Sequence, residues 1–200
     1  VFEMAWTHNQ VVLHHIDVSE KEAQMYRSLD GSILFPNSSF RADSSILINN
    51  HRQQSGLWAY SISGDFPIVL LKIGKQENIQ LITQMVQAHA YWKIKGLTVD
   101  IVIWNEEHNS YRQDFQDEIN ALIPAEMRDQ RGGIFVRNTD YIPDEDRILF
   151  QAVACIVISD GNGTLTEQAK QKPVAKKALV DFAPVASIPL DLTPIAMPED

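Results

Sequence analysis

The chain has 200 residues, 44% of them apolar, with 26 acidic and 17 basic side chains and a net charge of −9. That length and apolar fraction suit one folded core and exclude a disordered chain. The acidic balance excludes nucleic acid as the main partner, because phosphate binding needs a basic footprint, and it disfavours an anionic membrane surface for the same reason.

Residues 1–18 read as extended. Phe2, Met4 and Trp6 alternate with Glu3, Ala5 and Thr7, and Val11-Val12-Leu13 follows as a second short apolar run. The start has no basic leader, no cleavage site and no initiator Met, which suggests a piece of something longer. Ser19 with Glu22 forms a capping box, so a helix should follow with Ala23, Tyr26, Leu29 and Ile33 on one face. Residues 36–56 are polar and loop-like, with room for a helical turn near Ser44–Asn49.

From Trp58 onward the pattern becomes regular. Residues 66–73 are a near-continuous apolar run, the mark of a strand buried on both faces, and Gly74 ends it. Asn78 to Lys95 predicts a long helix, with Ile82, Met85, Val86, His89 and Trp92 at helical spacing and Gly96 at its C-terminal cap. Residues 99–104 predict a second buried strand. Ser110 and Gln113 then start a helix carrying Tyr111, Phe115, Ile119 and Leu122 on one stripe. Gly132-Gly133 precedes a short strand at 134–136, and Pro143 with three acids opens another helix. A fourth strand is expected at 154–159, then a turn at Asp160-Gly161-Asn162-Gly163. Thr164 with Glu167 caps a short last helix. Residues 172–200 carry five prolines and read as an extended linker.

Strand–helix alternation of this kind predicts an α/β fold: a mostly parallel four-stranded sheet with helices on both faces, Rossmann-like and three-layered, with extended termini. The expected organisation is an extended segment at 1–18 from a neighbouring sandwich, a helix and linker loop at 19–56, the α/β domain at 57–171, and the Pro-rich linker at 172–200.

Parallel sheets place ligands at the carboxyl ends of their strands, and four segments fall there: Gly74-Lys75, Asn105 to His108, Arg137-Asn138 and Asp160 to Gly163. Asn105-Glu106-Glu107-His108 is the most loaded such segment, because carboxylates and an imidazole can bind metal or move protons. Adjacent residues point apart, however, so a polar loop leading into a helix is the plainer reading. Asp160-Gly161-Asn162-Gly163 is too short for a twelve-residue calcium loop and lacks the dinucleotide glycine order and the phosphate-loop lysine. His14-His15 has no further ligands at zinc spacing, and His89 lies on an apolar helix face as a hydrogen-bonded core residue would. Ser61-Ile62-Ser63-Gly64-Asp65 precedes a strand rather than following one, so it is no nucleophile elbow. Its expected role is a turn, with Gly64 at the sharp point and Asp65 accepting backbone hydrogen bonds. Cys155, alone in the chain, sits in an apolar run and reads as a small buried hydrophobe. Trp92 and Trp104 fit core patterns, whereas Trp58 and Tyr60 lie near a loop and are open to contact with a sugar face. No catalytic residue, metal or cofactor is assigned.

Four stretches resemble segments of cyclic β-1,2-glucan synthases: the run from Gln54 to Leu70, the helix stretch from Gln87 to Trp92, Val102-Ile103-Trp104-Asn105-Glu106, and Gly132-Gly133-Ile134-Phe135-Val136-Arg137. Ala5-Trp6-Thr7-His8 resembles the last strand of a sandwich domain in the same proteins. The resemblance covers nearly the whole chain. It implies a large inner-membrane parent with a glycosyltransferase part and a part related to cellobiose and chitobiose phosphorylases, the latter built of sandwich regions and an (α/α)6 barrel. No position here matches that family's catalytic Asp, and no barrel is present. The resemblance therefore implies a non-catalytic structural module, on the cytoplasmic side, whose partners are other domains of its own polypeptide. Two alternatives stand beside it. One is a carbohydrate-binding module for β-glucan oligosaccharide using Trp58, Tyr60, Asn105, Glu106 and His108. The other is a small independent enzyme at the Asn105–His108 loop, which a pocket joining Glu106 or His108 to Asp160 would support.

Overall fold

The computed structural model describes residues 11, 13–35, 37–108 and 112–170. Four strands, β1 (Ile68–Ile73), β2 (Asp100–Asn105), β3 (Ile134–Asn138) and β4 (Ile156–Ser159), form one sheet in the order β3-β2-β1-β4, and every pairing is parallel. The α/β expectation holds. The helices are α1 (Glu20–Leu34), α2 (Ser44–Ile48), α3 (Gln80–Ile94), α4 (Arg112–Leu122), α5 (Asp144–Val153) and α6 (Leu165–Ala169).

The strand order explains the layers. Parallel crossovers are right-handed, so the helices joining β1 to β2 and β2 to β3 lie on one face. The return from β3 to β4, on the far side of β1, reverses direction and puts its helix on the other face. The pleat sorts the side chains accordingly. Val69, Leu71, Ile73, Ile101, Ile103 and Ile158 pack with Tyr26, Leu29, Met85 and Trp92 of α1 and α3 and with Phe115 and Ile119 of α4. Ile68, Leu70, Val102, Trp104 and Phe135 pack with Leu149 and Phe150 of α5 and with Leu57 of the 3-10 run Gln54–Tyr60. Burial on both faces is why the strands are continuous apolar runs rather than alternating ones.

Local signals set the helix limits. The Ser19 hydroxyl accepts the Glu22 amide proton while the Glu22 carboxylate accepts from the Ser19 amide, closing the expected box. Thr164 and Glu167 do the same for α6. After α3, Gly96 takes φ +82° and Leu97 N donates to the Trp92 carbonyl, a left-handed C-terminal stop. The face expected for α1 is the face buried.

Three expectations need correction. Within 1–18, residues 13–15 are helical rather than extended. Leu13 is buried and Ile16 packs beside it, a three-residue spacing that suits a helical turn, and Asp17 at φ +52° ends it. Residues 1–10 and 172–200, with the sandwich-strand and linker readings, lie outside the described residues. In α4 the buried stripe is Phe115 and Ile119, continued by Ile123 just past its end, whereas Leu122 is exposed; Tyr111 is outside the described residues. Cys155 is only half-buried, at the edge of the core.

The free edge of β4 is partly covered by the loop before α2. Val157 N donates to the Phe40 carbonyl at 2.7 Å, and Arg41 Nη2 to the Ala152 carbonyl at 2.6 Å. Among the described residues no helix is long and apolar enough to cross a membrane.

Candidate functional site

The direction of the strand order reverses between β1 and β4, and their carboxyl ends border the crevice where folds of this order hold ligands. Register levels the strand tips: Ile73 pairs with Asn105, Asn105 with Asn138, and Lys72 with Ser159. The residues just past each tip therefore meet. Gly74, Lys75, Trp104, Glu106, His108, Thr139, Arg147 and Asp160 line one cleft of about 450 Å³.

At the reversal the first turn after β1 presents two backbone amides, Gly74 N and Lys75 N. Both donate to Asp160 Oδ2, each at 3.0 Å, and Asn78 Nδ2 approaches the same oxygen at 3.5 Å. In nucleotide-binding folds of this order, amides in this position cradle a phosphate. Here a carboxylate from the tip of β4 fills the cradle. The Asp160 segment is a turn, as expected, and Asp160 is also a structural tie across the reversal that occupies the natural anion position.

Glu106 follows Trp104 on the α5 face of the sheet, where Lys72 lies level with Trp104. Lys72 Nζ donates to Gln151 Oε1 at 2.6 Å and sits 5.3 Å from the centre of the Trp104 ring. Half-burial holds the Glu106 carboxyl above its ordinary value, with Asp160 adding to the rise and Lys72, His108 and Arg147 opposing it. Burial likewise depresses the Lys72 ammonium, against the pull of Glu106. Both charges are kept at a cost in solvation that their mutual attraction offsets only in part. Arg147 of α5 is held by its Nε to the Ile142 carbonyl at 2.9 Å and its Nη2 to the Thr139 carbonyl at 2.6 Å. His108 Nδ1 lies 3.0 Å from Asp140 Oδ1.

Of the five expected contact residues, the structure brings only Glu106 and His108 to this cleft. Asn105 is wholly buried on the opposite sheet face; its Nδ2 donates to Gln116 of α4 and its Oδ1 accepts from Glu107 N. The pleat that points Asn105 one way points Glu106 the other. Tyr60 is half-buried, with its hydroxyl donating to Asp146 Oδ2 at 2.8 Å. Trp58 is 64% exposed on the 3-10 run, its Nε1 donating to the Ser63 carbonyl at 3.3 Å. Trp92 and Trp104 are core residues as expected. Arg147 escaped the sequence reading, because an arginine inside an amphipathic helix carries no motif.

The other singled-out groups settle into the scaffold. His89 is buried, with Nε2 2.9 Å from the Gly132 carbonyl. Gly64, at φ +74°, makes the expected turn, but Asp65 accepts from the side chains of Gln54 and Arg131 rather than from the backbone, since its position on the surface brings those two long donors within reach. Among the described residues no three His, Cys, Asp or Glu side chains are grouped to hold a metal ion.

No family model matches the chain. It is 30% identical over 169 residues, 82% of its length, to cyclic beta-(1,2)-glucan synthase NdvB of Rhizobium meliloti (strain 1021). The chain spans about 6% of the length of that relative. The matched stretch exceeds the 115 residues expected for the α/β domain alone, so the similarity extends into the flanking segments. The resemblance drawn from the sequence motifs therefore holds: the chain is related to a segment of a cyclic β-(1,2)-glucan synthase.

Proposed function

We propose that this chain is a non-catalytic architectural module of a larger protein that makes, transfers or phosphorolyses β-1,2-linked glucose. Its partners are then the neighbouring domains of the same polypeptide, on the cytoplasmic side of an inner-membrane-associated parent. The observation that carries the reading is the filled cradle at the sheet reversal. Asp160 takes the two amides at the sheet reversal where nucleotide-binding folds of this order hold a phosphate, so that position is filled from within the chain. The exposed Phe35, Ile48 and Trp58 are compatible with packing against other domains.

The convergence of Glu106, His108 and Asp160 on one cleft favours a second reading, a small enzyme at the strand tips. One experiment separates the two. The isolated chain is incubated with a nucleoside-diphosphate glucose, and separately with β-1,2-linked glucooligosaccharide and inorganic phosphate, and products are followed by chromatography. The architectural reading expects no turnover with either. Turnover that disappears in Glu106→Gln at unchanged Tm would replace it with the enzyme reading.

A further inference from the structure

The strand-tip cleft has a chemistry that the architectural role does not use. Its volume of about 450 Å³ lies in the range of small-ligand sites, roughly 300–1,000 Å³. Both signs of charge line it, Lys75 and Arg147 facing Glu106 and Asp160. A phosphate would find its amide cradle taken and two carboxylates nearby. A small cation would meet the lysine and the arginine. An uncharged ligand bearing adjacent hydroxyls suits both, because each hydroxyl donates to a carboxylate and accepts from a cationic N–H.

Two groups there are left with unused capacity. Trp104 is 2% exposed, lines the cleft, and its Nε1 is buried without an acceptor. A buried indole N–H normally finds a partner. The Glu106 carboxylate accepts no hydrogen bond among the described residues, although it is half-buried. The indole N–H is itself enclosed, so it is the Glu106 carboxylate, just past the end of β2 and lining the cleft, that a ligand hydroxyl would satisfy.

We propose that the strand-tip cleft binds a neutral saccharide of one or two pyranose rings, with Glu106 accepting from its hydroxyls, Lys75 and Arg147 donating to them, and Trp104 lining the floor. This goes beyond the architectural reading and takes from it only the choice of glucose as the unit to test.

The test is a ¹H–¹⁵N NMR titration of the labelled chain with glucose, with the β-1,2-linked disaccharide of glucose, with myo-inositol and with glucose 6-phosphate. Saturable shifts of the Trp104 indole N–H and of the Gly74 and Lys75 amides are expected with a neutral sugar. Glu106→Ala should weaken the affinity about tenfold, the worth of a hydrogen bond to a charged group. Lys75→Ala, at an exposed position that leaves the fold intact, should weaken it less. The inference is overturned by the absence of saturable shifts up to about 100 mM sugar, well above millimolar binding. It is equally overturned by shifts confined to Trp58 and its neighbours, by tighter binding of glucose 6-phosphate, or by preference for myo-inositol over both sugars. A negative titration leaves the architectural reading standing, because that reading needs no ligand.

Discussion

Asp160 is the most informative single position to change. Its one carboxylate oxygen holds Gly74 N and Lys75 N at 3.0 Å each and thereby ties the tip of β4 to the turn that starts the β1–β2 crossover. Hydrogen bonds to a charged acceptor contribute about 1.5–3 kcal/mol each when desolvated. Here Gly74 and Asp160 are only half-buried and Lys75 is exposed, so water can partly replace the lost acceptor and the low end applies. Asp160→Ala should therefore cost about 2–3 kcal/mol. Asp160→Asn keeps an acceptor oxygen and loses its charge, for about 1 kcal/mol. For a chain of this size 1 kcal/mol moves Tm by about 2–4 °C, which gives roughly 4–12 °C for Ala and 2–4 °C for Asn. Thermal unfolding followed by circular dichroism at neutral pH measures both. The alanine variant also empties the cradle, so inorganic phosphate should raise its Tm more than that of the parent, as a ligand of the folded state must. An alanine variant within 1 °C of the parent, or equal phosphate responses in the two proteins, would refute the assignment of Asp160 as an internal occupant of the anion position.

Gly133→Ala should be among the most damaging single changes. A Cβ there collides with the Met127 carbonyl oxygen and comes within 2.8 Å of the Gln130 carbonyl oxygen, both backbone atoms that cannot yield; a loss above about 3 kcal/mol in urea unfolding is expected, and less than 1 kcal/mol would contradict it. Ser19→Ala removes the box at the start of α1 and should cost about 1 kcal/mol, visible as a lower urea midpoint at unchanged slope. Burial depresses the His89 imidazole below its ordinary value, so the unfolded chain binds its proton first as pH falls. Stability contributed there is complete above the unfolded value of about 6.5 and is lost as pH drops from that point toward the folded value. His89→Gln keeps an N–H for the Gly132 carbonyl and should flatten the fall in urea midpoint between about pH 7.5 and 5.5; an unchanged pH profile would show that His89 is not its source.

The fold was legible because its signals are local. The apolar runs at 66–73, 99–104 and 154–159, the two Ser/Thr-to-Glu boxes and Gly96 each act within a few residues, and each appears where expected. The helical turn at 13–15 was misread because three consecutive apolar residues are compatible with either period, and only the buried Leu13 chooses between them. The site was less legible. Glu106 and His108 were visible as a charged loop after a strand, yet Asn105 was grouped with them although the pleat sends it to the opposite face. Trp58 and Tyr60 were visible as aromatics near a loop, yet they sit on the 3-10 run rather than among the residues lining the cleft.

By itself the sequence determined the α/β class, the capped starts of α1 and α6 and the kinship with a glucan synthase segment, since hydrophobic period, capping chemistry and motif are written in adjacent residues. Only the tertiary structure decided that Lys75, Glu106, Arg147 and Asp160, up to 85 positions apart, share one cleft, and that Asp160 occupies its anion cradle. The reason is that strand order is chosen by how whole crossovers pack. Once β4 returns beside β1 the register fixes which tips meet, and no local pattern encodes that return.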